Sequence, residues 1–377
     1  MRSAWHLFTC AALGLLVVGC RAQPEVPLPL TECIGRLEFG VPGSLDVGAS
    51  AVTHYSDGDW VLTSTQYRNG HKLGETNNLW SHGSFRVSHA MTPAERKASQ
   101  ADLESTILFE RRRLKEKRST PQGRKTAKPL LPPRPLRHQT GRSWGQVGHA
   151  VLMYVGDHAL EWRTSDRSPK VEAMFDALDR GARPRKLGEA PQEPGLCLPY
   201  VFVPIREAFG SYVDVRYRLL EHPDFEIRVI QEGGALELEA NRSLPEVLER
   251  ELTRNWYYSI VNAARKLDPI TEGMTQMAGS PAYFRSVKFV RRETGYVDYG
   301  YLVTSAGDPA RSREYPSVVL QIRRNTEWAL RQDREPMGKE EFFALARAIH
   351  ASVKLRALGP LNPSAEPADA PSSEASR

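Results

Sequence analysis

Three consecutive segments near the C-terminus constrain the fold most. They are SPAYFRSVKFVRR (280–292), GYVDYGYLVTS (295–305) and YPSVVLQIRR (315–324). Each carries the two-residue period of a strand. In the first, Tyr283, Arg285 and Val287 fall on one side, and Phe284, Ser286 and Lys288 on the other. KEEFFALARAIHASVKL follows, with Phe342, Leu345, Ala346, Ile349 and Val353 on one face of an amphipathic helix. Upstream, YVDVRYRLLEHPDFEIRVI reads as two strands around a His222-Pro223-Asp224 turn, after a block starting at LCLPYVFV. Ser243 with Glu246 forms a capping box for a long helix expected to end near Lys266.

The N-terminal half has the same grammar. TECIGRLEFGVP reads as a short strand ending at Pro42, and AVTHYSD and WVLTSTQYR as two more. A helix spans residues 91–118, with Thr92 as N-cap, Pro93 in the first turn and Glu95 completing the capping box. Leu103, Ile107 and Leu108 supply its apolar stripe, with Ala101 and Phe109 nearby. GQVGHAVLMYVGDHALEWR reads as a strand pair turning at Gly156-Asp157. Strands followed by a helix, twice over, define an α+β chain of two lobes, each an antiparallel sheet covered on one face by helices. The expected N-terminal lobe is 30–187, the linker 188–195, the C-terminal lobe 196–357 and a disordered Pro/Ala/Ser-rich tail 358–377.

The first nineteen residues read as a secretory signal. Arg2 is followed by an apolar run, Ala11 to Gly19, too short to cross a bilayer. The run stops at Val17-Val18-Gly19-Cys20, which resembles the lipobox of bacterial lipoproteins. That resemblance implies a diacylglyceryl group on the Cys20 thiol, cleavage before it and acylation of the new amine, which together anchor stably. The other reading is a plain signal cleaved elsewhere, for example after Ala22. Arg21 after the cysteine implies sorting to the outer membrane, and residues 20–29, with three prolines, form an extended tether.

Of four cysteines, Cys10 leaves with the signal and Cys20 takes lipid. Cys33 and Cys197 remain as a pair in an oxidising compartment, where a disulfide between them is expected. The alternative is two buried free thiols.

The formal net charge is +6, but twelve Lys/Arg against two Glu lie between Glu110 and Arg142. The excess therefore belongs to one flexible segment, 111–142, and does not describe a nucleic-acid-binding fold. A solvated loop is one reading of it; attraction to anionic lipid or an acidic partner is the other.

Chemistry-bearing motifs are absent. Ala278-Gly279-Ser280-Pro281-Ala282 lacks the nucleophile-elbow glycines, and no His-Glu-x-x-His or paired-cysteine site occurs. His82 and His89, and His149 and His158, have no carboxylate arranged as a third metal ligand. His54-Tyr55-Ser56-Asp57 gathers triad residue types, but neighbours in sequence do not make triad geometry. His350 reads as a surface or boundary residue. No catalytic residue, metal or cofactor is assigned.

Glu32-Cys33-Ile34-Gly35-Arg36 followed by Pro42, and Gly195-Leu196-Cys197-Leu198-Pro199, carry a family resemblance. So do His222-Pro223-Asp224, the Gly279 region, and the closing helix with Lys354 and Arg356. In order and spacing the chain resembles two-domain immunity lipoproteins that protect bacteria from phospholipase effectors of type VI secretion. The resemblance implies a non-catalytic inhibitor whose α/β-type lobes grip the lipase and insert loops at its active-site cleft. Its partners would be the cognate phospholipase and, through the lipid, the membrane. An envelope structural or assembly lipoprotein is the alternative. The turn from Arg291 to Tyr301 is a candidate contact, although a core strand explains its tyrosines equally well. The partner-binding residues stay unassigned, and the basic segment is not part of the pattern.

Overall fold

The computed structural model describes residues 26–52, 62–69, 72–74, 79–80, 84–122, 143–147, 150–163, 169–205, 212–232, 243–252, 264–308, 311 and 314–356. The signal peptide, Cys20, the tail, most of the basic segment, and His54, Ser56, Asp57, His82 and His149 lie outside these residues.

The hairpin Leu30–Ile34 (β1) and Leu37–Val41 (β2) stands where one strand was expected; Gly35 and Arg36 make the turn. β2 also pairs with the last strand, Lys354–Leu355 (β21), so the two ends of the described chain share a small sheet. Ala49–Val52 (β4), Leu62–Gln66 (β5) and Lys72–Gly74 (β6) form a second; β5 lies within WVLTSTQYR, while β4 takes only the first two residues of AVTHYSD, the rest of which lies outside the described residues. A third sheet orders Arg183–Pro184 (β12), Val201–Val203 (β14) and Leu196–Leu198 (β13).

The main sheet is antiparallel and takes strands from both halves of the sequence. From one edge its order is Ala264–Met277 (β17), Ser280–Arg291 (β18), Val297–Ser305 (β19), Ser317–Arg324 (β20), Phe225–Glu232 (β16) and Tyr212–Leu219 (β15). It continues through Leu79–Trp80 (β7), Ser84–Val87 (β8), His158–Arg163 (β11), Ala150–Val155 (β10) and Ser143–Val147 (β9). Leu45–Val47 (β3) pairs with β15 beside β7. The three C-terminal strands and the strand pairs around His222-Pro223-Asp224 and Gly156-Asp157 stand where the sequence put them.

The described helices are Pro93–Ser119 (α1), Pro169–Gly181 (α2), Leu244–Glu251 (α3), Thr326–Leu330 (α4) and Lys339–Ser352 (α5). Helices cover both faces of the C-terminal strands, not one. The alternation along β19 explains why: Tyr301 and Val303 join the core that includes Phe342, Leu345, Ala346 and Ile349 of α5. Leu302, between them, points the other way, into a cluster with Ile230, Val287, Phe289, Val319 and Leu248 of α3. The main core extends through Phe39 of β2, Tyr217 of β15, and Phe85, Trp162, Phe175 and Leu178. Val26 and Leu28, at the end of the expected tether, pack against it.

Three other readings need correction. Lys266 lies not at a helix end but in β17, paired with Val290. β17 is an edge strand with exposed residues on much of its length, so it lacks the apolar alternation that marks β18–β20. His350 is buried, 7% exposed, because Tyr301 and the end of β17 close over it. Leu108, assigned to an apolar stripe, is 63% exposed, because it shares a solvent-facing side of α1 with exposed Ala101, Ser105 and Arg112.

Candidate functional site

The expected disulfide is formed. Cys33 on β1 and Cys197 on β13 are bridged with Cα atoms 5.8 Å apart. The neighbouring Gly35 and Cys197 exchange backbone hydrogen bonds of 2.8 and 3.2 Å. Beside the bridge lies a fully buried ion pair: Arg185 Nη2 donates to Glu32 Oε1 at 2.5 Å and to the Cys33 carbonyl at 2.8 Å. Arg185 Nε donates to the Leu198 carbonyl, and Glu32 Oε2 accepts the Gly188 N–H at 2.5 Å. Burial opposes charge on Arg185, but Glu32 outweighs it and holds the guanidinium above its ordinary pKa. Segment 188–195 is thereby pinned: its Pro191 and Glu193 carbonyls also accept from Arg356 Nη2 at 2.6 Å. Every group here is satisfied by another, which is the chemistry of a structural clasp.

Two of the sequence-singled histidines come together. His158 stacks on Tyr200 with ring centroids 4.2 Å apart and planes 7° from parallel, and His89 lies 6.3 Å from the same ring. Tyr200, in the β13–β14 turn, holds φ at 58°, a left-handed conformation that costs a non-glycine residue free energy. The stack, and Arg68 above the ring with Nη2 donating to the Tyr200 hydroxyl at 3.3 Å, hold it there. Both imidazoles are tied to backbone carbonyls, His89 Nε2 to Gln66 at 2.7 Å and His158 Nδ1 to Ser88 at 3.0 Å. Burial pushes both pKa values down, so both rings are neutral at pH 7. No hydrogen bond among the described residues joins either ring to a nucleophile or carboxylate, so the cluster orients a turn rather than moving protons. Ser280 is a buried strand residue of β18. No group of three His, Cys, Asp or Glu among the described residues could hold a metal.

The second face of the main sheet was not anticipated. Away from α3 it carries ions: Arg228 grips Asp214 through Nε at 2.8 Å and Nη2 at 2.6 Å, and Arg218 Nη2 reaches Asp46 at 2.9 Å. Glu226 accepts the Tyr67 hydroxyl at 2.9 Å and pairs with Arg323 Nε at 2.6 Å. Burial works against the Glu226 charge, but Arg323 and Arg216 overcome it and keep its carboxyl below the usual range. A sequence signal existed in the odd-even split of Asp214, Arg216 and Arg218 against Val213, Val215 and Tyr217. Only pairing between strands shows that the charges neutralise one another.

What remains open to a partner is surface. Among the described residues β17 pairs on one side only, and it presents Ile270, 39% exposed, and Met274, 63% exposed, with Glu272 between them. An unpaired edge with apolar side chains offers backbone hydrogen bonds and contact area to another protein. The Arg291–Tyr301 turn is held internally, with Arg291 Nε donating to Asp298 at 2.6 Å and Nη2 to Asn325 at 2.6 Å.

These features define a rigid α+β scaffold with its ions paired internally and its binding capacity in edges and loops. No family model matches the sequence, and no curated protein matches it. Solved structures do match in fold. The apo immunity protein TplEi of the type VI secretion system (T6SS) from Pseudomonas aeruginosa is 16% identical, with a TM-score of 0.50, over 87% of this chain and 97% of that one. TplEi complexed with an "L" peptide aligns at 16% identity and a TM-score of 0.48, over 87% and 98%. The Tle4–Tli4 complex gives 15% and 0.49, over 87% and 97%. At such identity the TplEi match establishes a shared fold.

Proposed function

We propose that this chain is an immunity lipoprotein that binds and blocks a phospholipase effector of type VI secretion, protecting the cell from its own and its siblings' toxin. One observation carries the reading: the fold corresponds to an immunity protein along nearly all of that protein's length. The sequence supports it independently, through the lipobox at Cys20 and the ordered segments around Cys33, Cys197 and His222-Pro223-Asp224. The mechanism is occupancy. Two lobes, 30–187 and 196–357, meet at the clasp around 188–195 and present a preorganised surface that keeps phospholipid out of the lipase cleft. A stable inhibitory complex of this kind buries about 1,200–2,000 Å² around a few anchors. Acyl chains on Cys20 hold the inhibitor on the periplasmic side of the outer membrane, where a lipase would meet its substrate.

The test mixes the purified chain with the phospholipase encoded beside it and follows phospholipid hydrolysis. Equimolar chain should abolish hydrolysis and elute with the lipase as one complex. Full lipase activity at a molar excess of the chain overturns the reading. A Cys20→Ala variant should inhibit equally in solution and leave membranes in a high-salt wash; retention after that wash removes the anchor.

A further inference from the structure

The distal part of α1 turns an exposed face to solvent. Its first two turns are fastened: Ser99 is buried with Oγ 2.6 Å from the Tyr154 hydroxyl, and Arg96 binds the Gly156 carbonyl and Asp157. From Ala101 onward every described side chain of the helix is exposed. At 1.5 Å per residue, roughly 28 Å of helix lies past Gln100. On that stretch, Leu108, Arg112 and Lys115 are spaced by four and three residues and share one face. Arg111 and Arg118 occupy positions on its flank. Leu108 is 63% exposed, and Arg112, Lys115 and Arg118 are exposed with no ion pair among the described residues.

We infer that this basic face is a docking site for the anionic phospholipid surface of the membrane, separate from any acyl anchor. Three observations favour lipid over a protein partner. The charge is almost all of one sign: from Arg111 to Arg142 there are twelve Lys/Arg and one acid, Glu116. Proteins that recognise a shaped partner intersperse charge, whereas a surface of uniform negative potential selects for number. The exposed leucine sits amid the cations, the pattern of a helix lying at a headgroup boundary. Finally, every described side chain past Gln100 is exposed, so this face can lie along a surface without disturbing the fold. Under the lipoprotein reading the contact would also fix the inhibitor's orientation at the bilayer, but the inference stands on the helix alone.

The experiment uses the chain expressed from residue 20 with Cys20→Ser, so that no acyl chain is present. Vesicles containing phosphatidylglycerol and vesicles of pure phosphatidylcholine are compared by co-sedimentation at about 0.1 M salt, where the Debye length is about 10 Å. Binding to the anionic vesicles is expected, weakening as salt rises, with none to the neutral ones. At about five-fold per charge, R112Q/K115Q/R118Q should lose on the order of 100-fold in affinity. The variant should keep its thermal unfolding midpoint, since all three side chains are exposed. L108S should weaken binding less and leave the salt dependence intact. Equal binding to both vesicle types, or anionic binding unchanged in the triple variant, overturns the inference. So does a triple variant that binds vesicles normally but no longer inhibits the lipase, because the face would then belong to a protein interface. Loss of vesicle binding with lipase inhibition intact supports it, and failure of the lipase assay leaves the vesicle result standing.

Discussion

At the scale of single residues, buried ions decide most. Glu32 and Arg185 are each almost wholly removed from water, and each also satisfies backbone groups. Truncating one leaves the other charged and dry. Arg185→Met should therefore cost about 3–5 kcal/mol, while the double change Glu32→Met/Arg185→Met should cost much less than the two singles together. Urea unfolding of the four proteins reads the difference, and additive losses would mean the pair is not coupled. His350 makes a pH prediction. Its Nε2 donates to the Gln276 carbonyl at 3.0 Å, so Nδ1 is free to accept the Tyr301 hydroxyl, also at 3.0 Å. Burial lowers its pKa below 6.5, and the same burial pushes the Tyr301 hydroxyl up to about 12. With the folded value depressed, the unfolded chain takes up the proton first. The stabilisation is complete above pH 6.5 and lost as pH falls from there through the folded value. That slope reaches at most about 1.4 kcal/mol per pH unit for one histidine, and H350Q should flatten the curve by that share. His89 and His158, shifted the same way, steepen the remainder.

At the scale of elements, turns offer the sharpest comparison. Gly279 closes the β17–β18 hairpin at φ +79°, and a Cβ built there meets nothing within 4 Å. Gly307 leads from β19 towards β20 at φ +69°, but its Cβ would lie 2.5 Å from the Tyr315 carbonyl oxygen. G279A should cost only the conformational penalty, about 1–2 kcal/mol. G307A should cost distinctly more, since backbone must also move; thermal melts separate the two, and equal losses would refute the argument. Helix starts give a second case. Glu95 N–H donates to Thr92 Oγ1 at 3.2 Å while Thr92 N–H donates to the Glu95 carboxylate at 2.7 Å. T92A should destabilise the start of α1 by about 0.5–2 kcal/mol, visible as faster amide exchange there. Both elements also show what was legible. The capping boxes at Thr92 and Ser243 depend on local chemistry alone and were readable. The strand character of β18–β20 was equally plain, from runs of β-branched and aromatic residues between turn residues, although both faces are covered. β17 was not, since an edge strand with exposed Ile270 and Met274 leaves no periodic mark. The Cys33–Cys197 pair could be named because compartment and parity restricted the choice, whereas Arg185 was one among many arginines until the chain brought carbonyls around it, and Arg356 was named only as part of a resemblance, without its role.

At the scale of the whole molecule, one knot ties together segments far apart in sequence. Arg356, beside β21, donates through Nη1 to the Gly195 carbonyl at 3.2 Å and contacts Cys197 Sγ at 3.0 Å. Its Nη2 holds the Pro191 and Glu193 carbonyls, and its backbone N–H donates to the Arg36 carbonyl at 2.8 Å. Burial pulls its pKa down, and Glu38 opposes that shift. The disulfide fixes the same place covalently, closing a loop whose ends are separated by 164 positions in sequence. Its loss by Cys33→Ala/Cys197→Ala should cost about 2–5 kcal/mol. Arg356→Met, which leaves the Pro191, Glu193 and Gly195 carbonyls without their common donor, should cost about 2–4 kcal/mol. The two changes share Cys197 and the segment 188–195, so their combination should depart from additivity by about 0.5–3 kcal/mol. The sign carries the meaning. If the bridge positions the carbonyls for Arg356, the arginine has less to lose once the bridge is gone, and the combined loss falls short of the sum. A combined loss equal to the sum would show two independent fastenings, and the ends of this chain would then be held by separate means rather than by one clasp.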